Sequence, residues 1–268
     1  VVAGGFLEVA VRAARRAQEV ILGNLGKLSR SDVGRKQSSD FVTGVDRDSE
    51  KAIIETIREA FPDHLFIAEE SASEAPEGKH RWIIDPLDGT TNYIHQYPVF
   101  SVSIALEHEG ELVLGVVLDP VREELYTAEK GRGAFLNGKP VRVSGVSSFS
   151  DALIATGFPF RQKDRTDLYL SAFKNVFLRT SGLRRAGSAA IDLAYVASGR
   201  CDGFFELGLA PWDVAAGDVI IREAGGVVTD FGGGKGHVWT GNIVAANPSL
   251  HQELLGEIRK VFTGIIDR

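Results

Sequence analysis

The chain has a single cysteine, Cys201, and no methionine among its 268 residues. A lone thiol rules out an internal disulfide and fits a reducing compartment, so a cytoplasmic location is expected. Methionine is missing even at position 1, and no physical reason for that is legible. Basic runs are missing as well: 30 Lys and Arg stand against 36 Asp and Glu, a net charge of −6. That balance argues against general nucleic-acid binding. No apolar run approaches the ~20 residues of a membrane-spanning helix. Arg12, Arg15 and Arg16 lie among small apolar residues without a long hydrophobic stretch, so the N-terminal segment does not read as a signal peptide. Internal repeats, low-complexity tracts and obvious linkers are absent too. What remains is a chain able to bury a large core, as one big domain or two closely packed ones.

The most informative stretch is Trp82-Ile83-Ile84-Asp85-Pro86-Leu87-Asp88-Gly89-Thr90-Thr91-Asn92. Arg81 to Ile84 reads as the end of a buried strand. Asp85 and Asp88 follow, and Pro86 between them stiffens the turn by which the chain leaves the strand. Gly89 lets the backbone approach a ligand, and Thr90-Thr91-Asn92 opens a helix whose free N–H groups suit an anion such as phosphate. The two carboxylates supply the oxygen ligands that hard cations want. Taken alone, Asp, Pro and Gly are also ordinary turn formers.

Helical spacing predicts an amphipathic helix over Phe6 to Leu25 and a second over Asp48 to Phe61. Between them, Val33 to Asp40 is a polar loop or short hairpin, and Lys36 within it reads locally as a solvated lysine. Asp46, near the second helix start, reads as a cap. A short strand, His64 to Ala68, leads into Glu69-Glu70-Ser71, where a carboxylate could be a ligand or simply exposed. Strands are predicted over Phe100 to Glu107, Leu112 to Asp119, Glu124 to Glu129 and Ala134 to Ser144, the last with an Asn137-Gly138 turn. That meander argues for an antiparallel sheet with helices on its faces. The second half alternates: strands at Ala152 to Thr156, Leu183 to Arg185, Gly203 to Leu207, Val227 to Asp230 and Ile243 to Ala246. Helices at Leu168 to Phe177, Ala189 to Ala197, Trp212 to Ala224 and Leu250 to Phe262 intervene. Two intimate α+β subdomains, 1–146 and 147–268, are therefore expected. Asp213 falls at the positive end of one helix, as a cap or as a functional acid.

In order and spacing, these segments resemble the inositol monophosphatase family, within the lithium-sensitive, magnesium-dependent phosphatases. The central stretch resembles its first motif. Pro211-Trp212-Asp213-Val214-Ala215-Ala216-Gly217, with Glu223-Ala224-Gly225-Gly226, resembles its second. Glu69-Glu70-Ser71, Asp40-Phe41-Val42-Thr43 with Asp46, Gly187-Ser188-Ala189-Ala190 and Phe205-Glu206-Leu207-Gly208 resemble further segments. The likeness runs from about Lys36 to Ala246.

The resemblance implies a layered α/β/α/β/α sandwich of the sugar-phosphatase type, a homodimer, and Mg²⁺ as cofactor, with Mn²⁺ a substitute. It implies that Glu69, Asp85 and the Leu87 carbonyl hold one ion, and that Asp85, Asp88 and Asp213 hold a second. A weaker third would rest on Glu69 and waters near Asp46. Gly89 and Thr90 N–H groups would take the phosphate, and Asp46 with Thr90 would orient the attacking water. Asp88, Gly187, Ser188, Ala189, Glu206 and Asp213 would line the alcohol pocket, and Lys36 would sit in a loop closing over it. The implied partner is a small phosphate monoester, myo-inositol monophosphate first. Fructose 1,6-bisphosphate or dual activity is the alternative, ahead of nucleotide or histidinol phosphates or a non-catalytic regulatory role. Arg184 and Arg185 could grip a second phosphate, pair at a dimer interface or sit in solvent.

Overall fold

The computed structural model describes residues 5–29, 33–37, 40–71 and 78–264, with the side chains of 35–41 outside that description. Helix α1 (Phe6–Asn24) buries Ala10, Ala13, Ala17 and Ile21 at helical spacing. An antiparallel hairpin, β1 (Val33–Gln37) and β2 (Asp40–Thr43), leads into α2 (Gly44–Ala60). This helix begins at Gly44 rather than Asp48 because Thr43 and Asp46 cap it reciprocally. Thr43 Oγ1 accepts the Val45 N–H at 3.1 Å, and Asp46 Oδ2 accepts the Thr43 N–H at 2.8 Å.

A seven-stranded sheet follows, in the spatial order β3-β4-β5-β6-β7-β8-β9. Its strands are β3 (Leu65–Ala68), β4 (His80–Asp88), β5 (Ser101–His108), β6 (Glu111–Asp119), β7 (Glu124–Glu129), β8 (Ala134–Leu136) and β9 (Lys139–Val141). The meander from β4 onward is antiparallel, whereas β3 joins β4 in parallel. The expected Asn137-Gly138 turn divides its segment into β8 and β9. Two expectations change here, the first being that pairing stops at Val141 rather than Ser144. Strand β4 does not end at Ile84 but runs through Asp88, with a bulge between Asp85 and Asp88 opposite β5. Pro86 has no N–H for the ladder, and the Leu87 N–H turns to Asp85 Oδ1 at 2.9 Å instead. Both aspartates are thus held by a sheet, not by a free turn.

After β4 comes a short helix, α3 (Thr90–Ile94). The second sheet has the order β11-β10-β12-β14-β13, built from β10 (Leu153–Thr156), β11 (Gly182–Arg184), β12 (Gly203–Glu206), β13 (Val227–Thr229) and β14 (Ile243–Ala246). Helices α4 (Thr166–Phe177), α5 (Ala189–Ala197), α6 (Pro211–Glu223) and α8 (His251–Phe262) match the expected segments within a few residues. One-turn helix α7 (His237–Thr240) lacks a periodic signal and was not expected.

Alternation along the strands sorts the side chains into layers. Trp82, Ile84, Ile104 and Val116 face α1 and α2, meeting Ala13, Ala17, Ile53 and Ile57. Ile83, Ala105 and Val117 face the other way, onto Leu193, Ala194, Val214 and Ile220 of α5 and α6. Phe204 and Ala245 of the second sheet close that layer, while Phe205 and Val244 face Tyr169, Leu254 and Ile258 of α4 and α8. The result is an α/β/α/β/α sandwich. Each large apolar side chain buried this way contributes about 1.5–3 kcal/mol. Among the described residues no helix is long and apolar enough to cross a membrane.

Candidate active site

Asp85 and Asp88 come from the bulged end of β4 and Asp213 from the first turn of α6. All three are buried, and each offers a carboxylate oxygen within 4.8 Å of the others. Ser103 on β5 anchors α6 by donating to the Trp212 carbonyl at 3.0 Å. Asp213 Oδ2 accepts the Ala210 N–H at 2.7 Å, so Asp213 caps its helix and belongs to the cluster at once. Asp88 Oδ2 accepts from Ser188 Oγ at 2.6 Å and from the Ala190 N–H at 2.8 Å, which ties the start of α5 to β4.

The electrostatics are those of crowded acids. Burial first, then Glu69, Asp88 and Asp213, push the Asp85 carboxyl well above its usual range. Burial and Asp213 push Asp88 up to about 6, although Ser188 and Ala190 act to lower it. Hydrogen bonds alone do not compensate these carboxylates, and a cation would. An all-carboxylate donor set suits a hard divalent ion such as Mg²⁺ or Mn²⁺, so the residues present fit the metal that the resemblance implies.

Beside the cluster, Gly89 adopts φ 97°, and a Cβ there would lie 3.0 Å from the Val99 carbonyl oxygen. Only glycine turns the chain at this point without strain or clash. Thr90 Oγ1 donates to Asp46 Oδ1 at 2.9 Å, and burial raises the fully enclosed Asp46 carboxyl against the lowering effect of Thr43. Asn92 Nδ2 donates to the carbonyls of Val99 at 2.7 Å and Ala186 at 2.9 Å, fastening this turn to the segment before α5.

One cavity of about 310 Å³ is lined by Glu69, Asp85, Leu87, Asp88, Gly89, Thr90, Gly187, Ser188, Ala189, Glu206 and Asp213. That volume is in the range of small-molecule sites. Asp46 stands behind Thr90 rather than on the wall. Lys36 falls on β1, and its side chain lies outside the described residues, as do those of Asp40 and Phe41. Burial, then Asp213 and Asp192, push the Glu206 carboxyl well above its usual range, with Arg185 acting the other way.

Four lining residues outside the quoted motifs, Gly157, Phe160, Arg161 and Leu209, were not anticipated as site residues. A Cβ on Gly157 would fall 2.1 Å from Glu206 Oε1, so glycine there gives Glu206 its place. Phe160 and Arg161 come from the same loop after β10. Arg161 Nη1 lies 2.8 Å from Asp213 Oδ2, and its Nη2 lies 3.9 Å from Glu69 Oε1. No periodicity or motif marks this loop. Both neighbouring arginines are exposed, but only Arg185 lines the cavity, while Arg184 donates to the Leu183 carbonyl at 3.0 Å.

This layered fold is shared with solved inositol monophosphatase structures. A family model described as "Inositol monophosphatase family" matches residues 5–262, and the chain belongs to that family. It is 47% identical over 264 residues to Nus factor SuhB of Escherichia coli (strain K12), covering 98% of this chain and 99% of the relative. Among solved structures it is similar to extragenic suppressor protein suhB from Bartonella henselae, with TM-score 0.92 and 42% identity over 98% of this chain and 100% of that one. The inositol monophosphatase from Anabaena (Nostoc) sp. PCC 7120 superposes with TM-score 0.86 at 41% identity, covering 96% of each chain.

Proposed function

We propose that the chain is a Mg²⁺-dependent phosphomonoesterase that releases phosphate from myo-inositol monophosphate by in-line attack of water. The observation that carries this reading is the convergence of Asp85, Asp88 and Asp213 within 4.8 Å, in the same cavity as the Gly89–Thr90 turn and Glu206. Divalent ions held there would supply positive charge to the phosphoryl oxygens and lower the pKa of the attacking water. Glu69, Asp85 and the Leu87 carbonyl would hold one ion, and Asp85, Asp88 and Asp213 the other. The Gly89 and Thr90 N–H groups would hold the phosphate. Thr90 Oγ1, fixed by Asp46, would orient the water. Glu206, Ser188 and the Gly187–Ala189 backbone would grip the hydroxyls of the alcohol.

Phosphate release over a panel of inositol 1-phosphate, fructose 1,6-bisphosphate, a nucleotide and an aryl phosphate, with and without Mg²⁺, tests the reading. Inositol 1-phosphate should turn over fastest, and only with the metal; undiminished release in excess chelator would contradict it. Arg185 in the cavity favours a second reading in which bisphosphates are also substrates. Arg185→Ala should then raise KM for fructose 1,6-bisphosphate selectively, with Arg184→Ala silent. A homodimer and lithium inhibition belong to the same proposal, tested by sedimentation and by inhibition at millimolar Li⁺. The name Nus factor borne by its relatives supports a further partner-binding role, which a catalytically dead variant would retain.

A further inference from the structure

Two arginines, Arg161 and Arg185, line the cavity, and neither reading of the substrate gives Arg161 a role. Arg161 lies across the acidic cluster, on Asp213 with one nitrogen and toward Glu69 with another, at 2.8 Å and 3.9 Å. Its planar head rests 4.5 Å from the centre of the Phe160 ring. The turn that carries it is closed by the Gln162 N–H on the Pro159 carbonyl at 2.9 Å. The Arg161 side chain is 23% exposed, against 9% for Glu69 and 6% for Asp213, so it covers both acids from the solvent side. A guanidinium suits this place, being planar, forked and more weakly hydrated than an ammonium.

The position has a consequence for metal binding. Glu69 is assigned above to one ion and Asp213 to the other, and Arg161 touches the ligand set of each. Asp213 Oδ2 already accepts the Ala210 N–H at 2.7 Å, and Arg161 takes a further share of the same oxygen. A divalent ion arriving there meets both a partly committed ligand and a like charge at close range. Without ions, the same guanidinium is the counter-charge that a buried set of acids requires.

We propose that Arg161 is a built-in counter-cation of the metal cluster. It bridges Glu69 and Asp213 while no ion is bound and leaves them when ions bind, so it stabilises the metal-free cleft and weakens ion affinity. This rests on the assignment of the carboxylates as metal ligands.

The test is Mn²⁺ affinity, read from the paramagnetic resonance of the free ion, together with melting in chelator, for wild type, Arg161→Gln and Arg161→Lys. Arg161→Gln should bind Mn²⁺ about tenfold more tightly, equivalent to about 1.4 kcal/mol, and melt about 2–4 °C lower in chelator. Arg161→Lys keeps the charge but not the fork and should fall between. Should the glutamine variant fail to fold, the lysine variant decides: tighter binding than wild type supports the proposal, and equal binding overturns it. Equal or weaker Mn²⁺ binding by Arg161→Gln overturns it while the metal assignment stands. No Mn²⁺ binding by any of the three overturns the assignment and the proposal together.

Discussion

The two ends of β4 both crowd titratable groups of one kind, and the fold treats them in opposite ways. At the start of the strand, His64, His80 and His108 stack, with ring centroids 4.3 Å apart for the first pair and 4.5 Å for the second. Phe61 stacks on His64 at 4.7 Å, and Trp82 Nε1 donates to His64 Nδ1 at 2.9 Å. Burial, then the charge of His80, push His64 down to about 4. Burial, then the charge of His108, lowers His80 as well, and the rings pack against one another. At the far end, Asp85, Asp88 and Asp213 meet over an open cavity, where burial and mutual repulsion raise Asp85 and Asp88. One cluster is closed by aromatic packing, and the other is left for a cation. Density of ionisable groups therefore does not mark the site; a buried set of like charges beside an open cavity, bridged at its rim by Arg161, does.

The largest effect should separate the two ends by activity. Asp88→Asn should lower phosphate release by at least about a hundredfold, since a ligand should matter more than the residues that merely orient one. His64→Gln should leave release unchanged. A fall of similar size in both variants, measured as kcat/KM for inositol 1-phosphate, would erase the distinction.

The second effect concerns pH, where the ends should carry opposite signs in the metal-free protein. His64 has a folded pKa of about 4 against 6.5, so the unfolded chain binds the proton first. Its contribution is full above pH 6.5 and is lost as the pH falls toward 4. Asp88 has a folded pKa of about 6 against 3.8, so the folded chain binds the proton first. Its contribution is full below 3.8 and is lost as the pH rises through about 6. Urea midpoints in chelator between pH 6.5 and 4.5 should therefore diverge: acidification should favour His64→Gln relative to wild type and penalise Asp88→Asn. Superimposable curves for all three proteins would refute this assignment of signs.

A smaller effect lies within the acidic end. Burial, then Asp213 and Asp192, push the Glu206 carboxyl up, and Glu206→Gln keeps its shape and hydrogen-bonding reach. The cost on a polyol substrate should be about 1 kcal/mol, the neutral hydrogen-bond range, and simple aryl phosphates should be nearly untouched. Equal losses on both substrate types would make Glu206 a support of the cleft rather than a contact to the alcohol.

The acidic end of β4 was legible in the sequence and the histidine end was not. Asp85, Pro86, Asp88 and Gly89 are contiguous, and their chemistry follows from one turn. Asp213 stands at a recognisable helix start. His64, His80 and His108 are remote in the chain, and only the register that pairs His80 with His108 unites two of them. Arg161 was hidden for the same reason, because its loop meets the acids only through the packing of the second sheet on the first. The strands and helices were readable from alternation and spacing, while the five-layer order came from the family resemblance. The extension of β4 past Ile84 was not, since proline and two aspartates read locally as a turn, and sheet pairing to β5 overrode that.

The central claim, that the carboxylates at the end of β4 are kept for a cation, is tested most directly by melting wild type and Asp88→Asn in chelator and in saturating Mg²⁺. In chelator the variant should melt about 2 °C higher, because removing one of several like charges relieves about 1 kcal/mol. Burial and Asp213 outweigh the bonds from Ser188 and Ala190 in their effect on the Asp88 carboxyl. In Mg²⁺ the order should invert, because the ion stabilises the native wild type by mass action and the variant binds less of it. A variant that is less stable in chelator and unchanged relative to wild type by Mg²⁺ would make Asp88 a structural residue of the bulge and contradict the account.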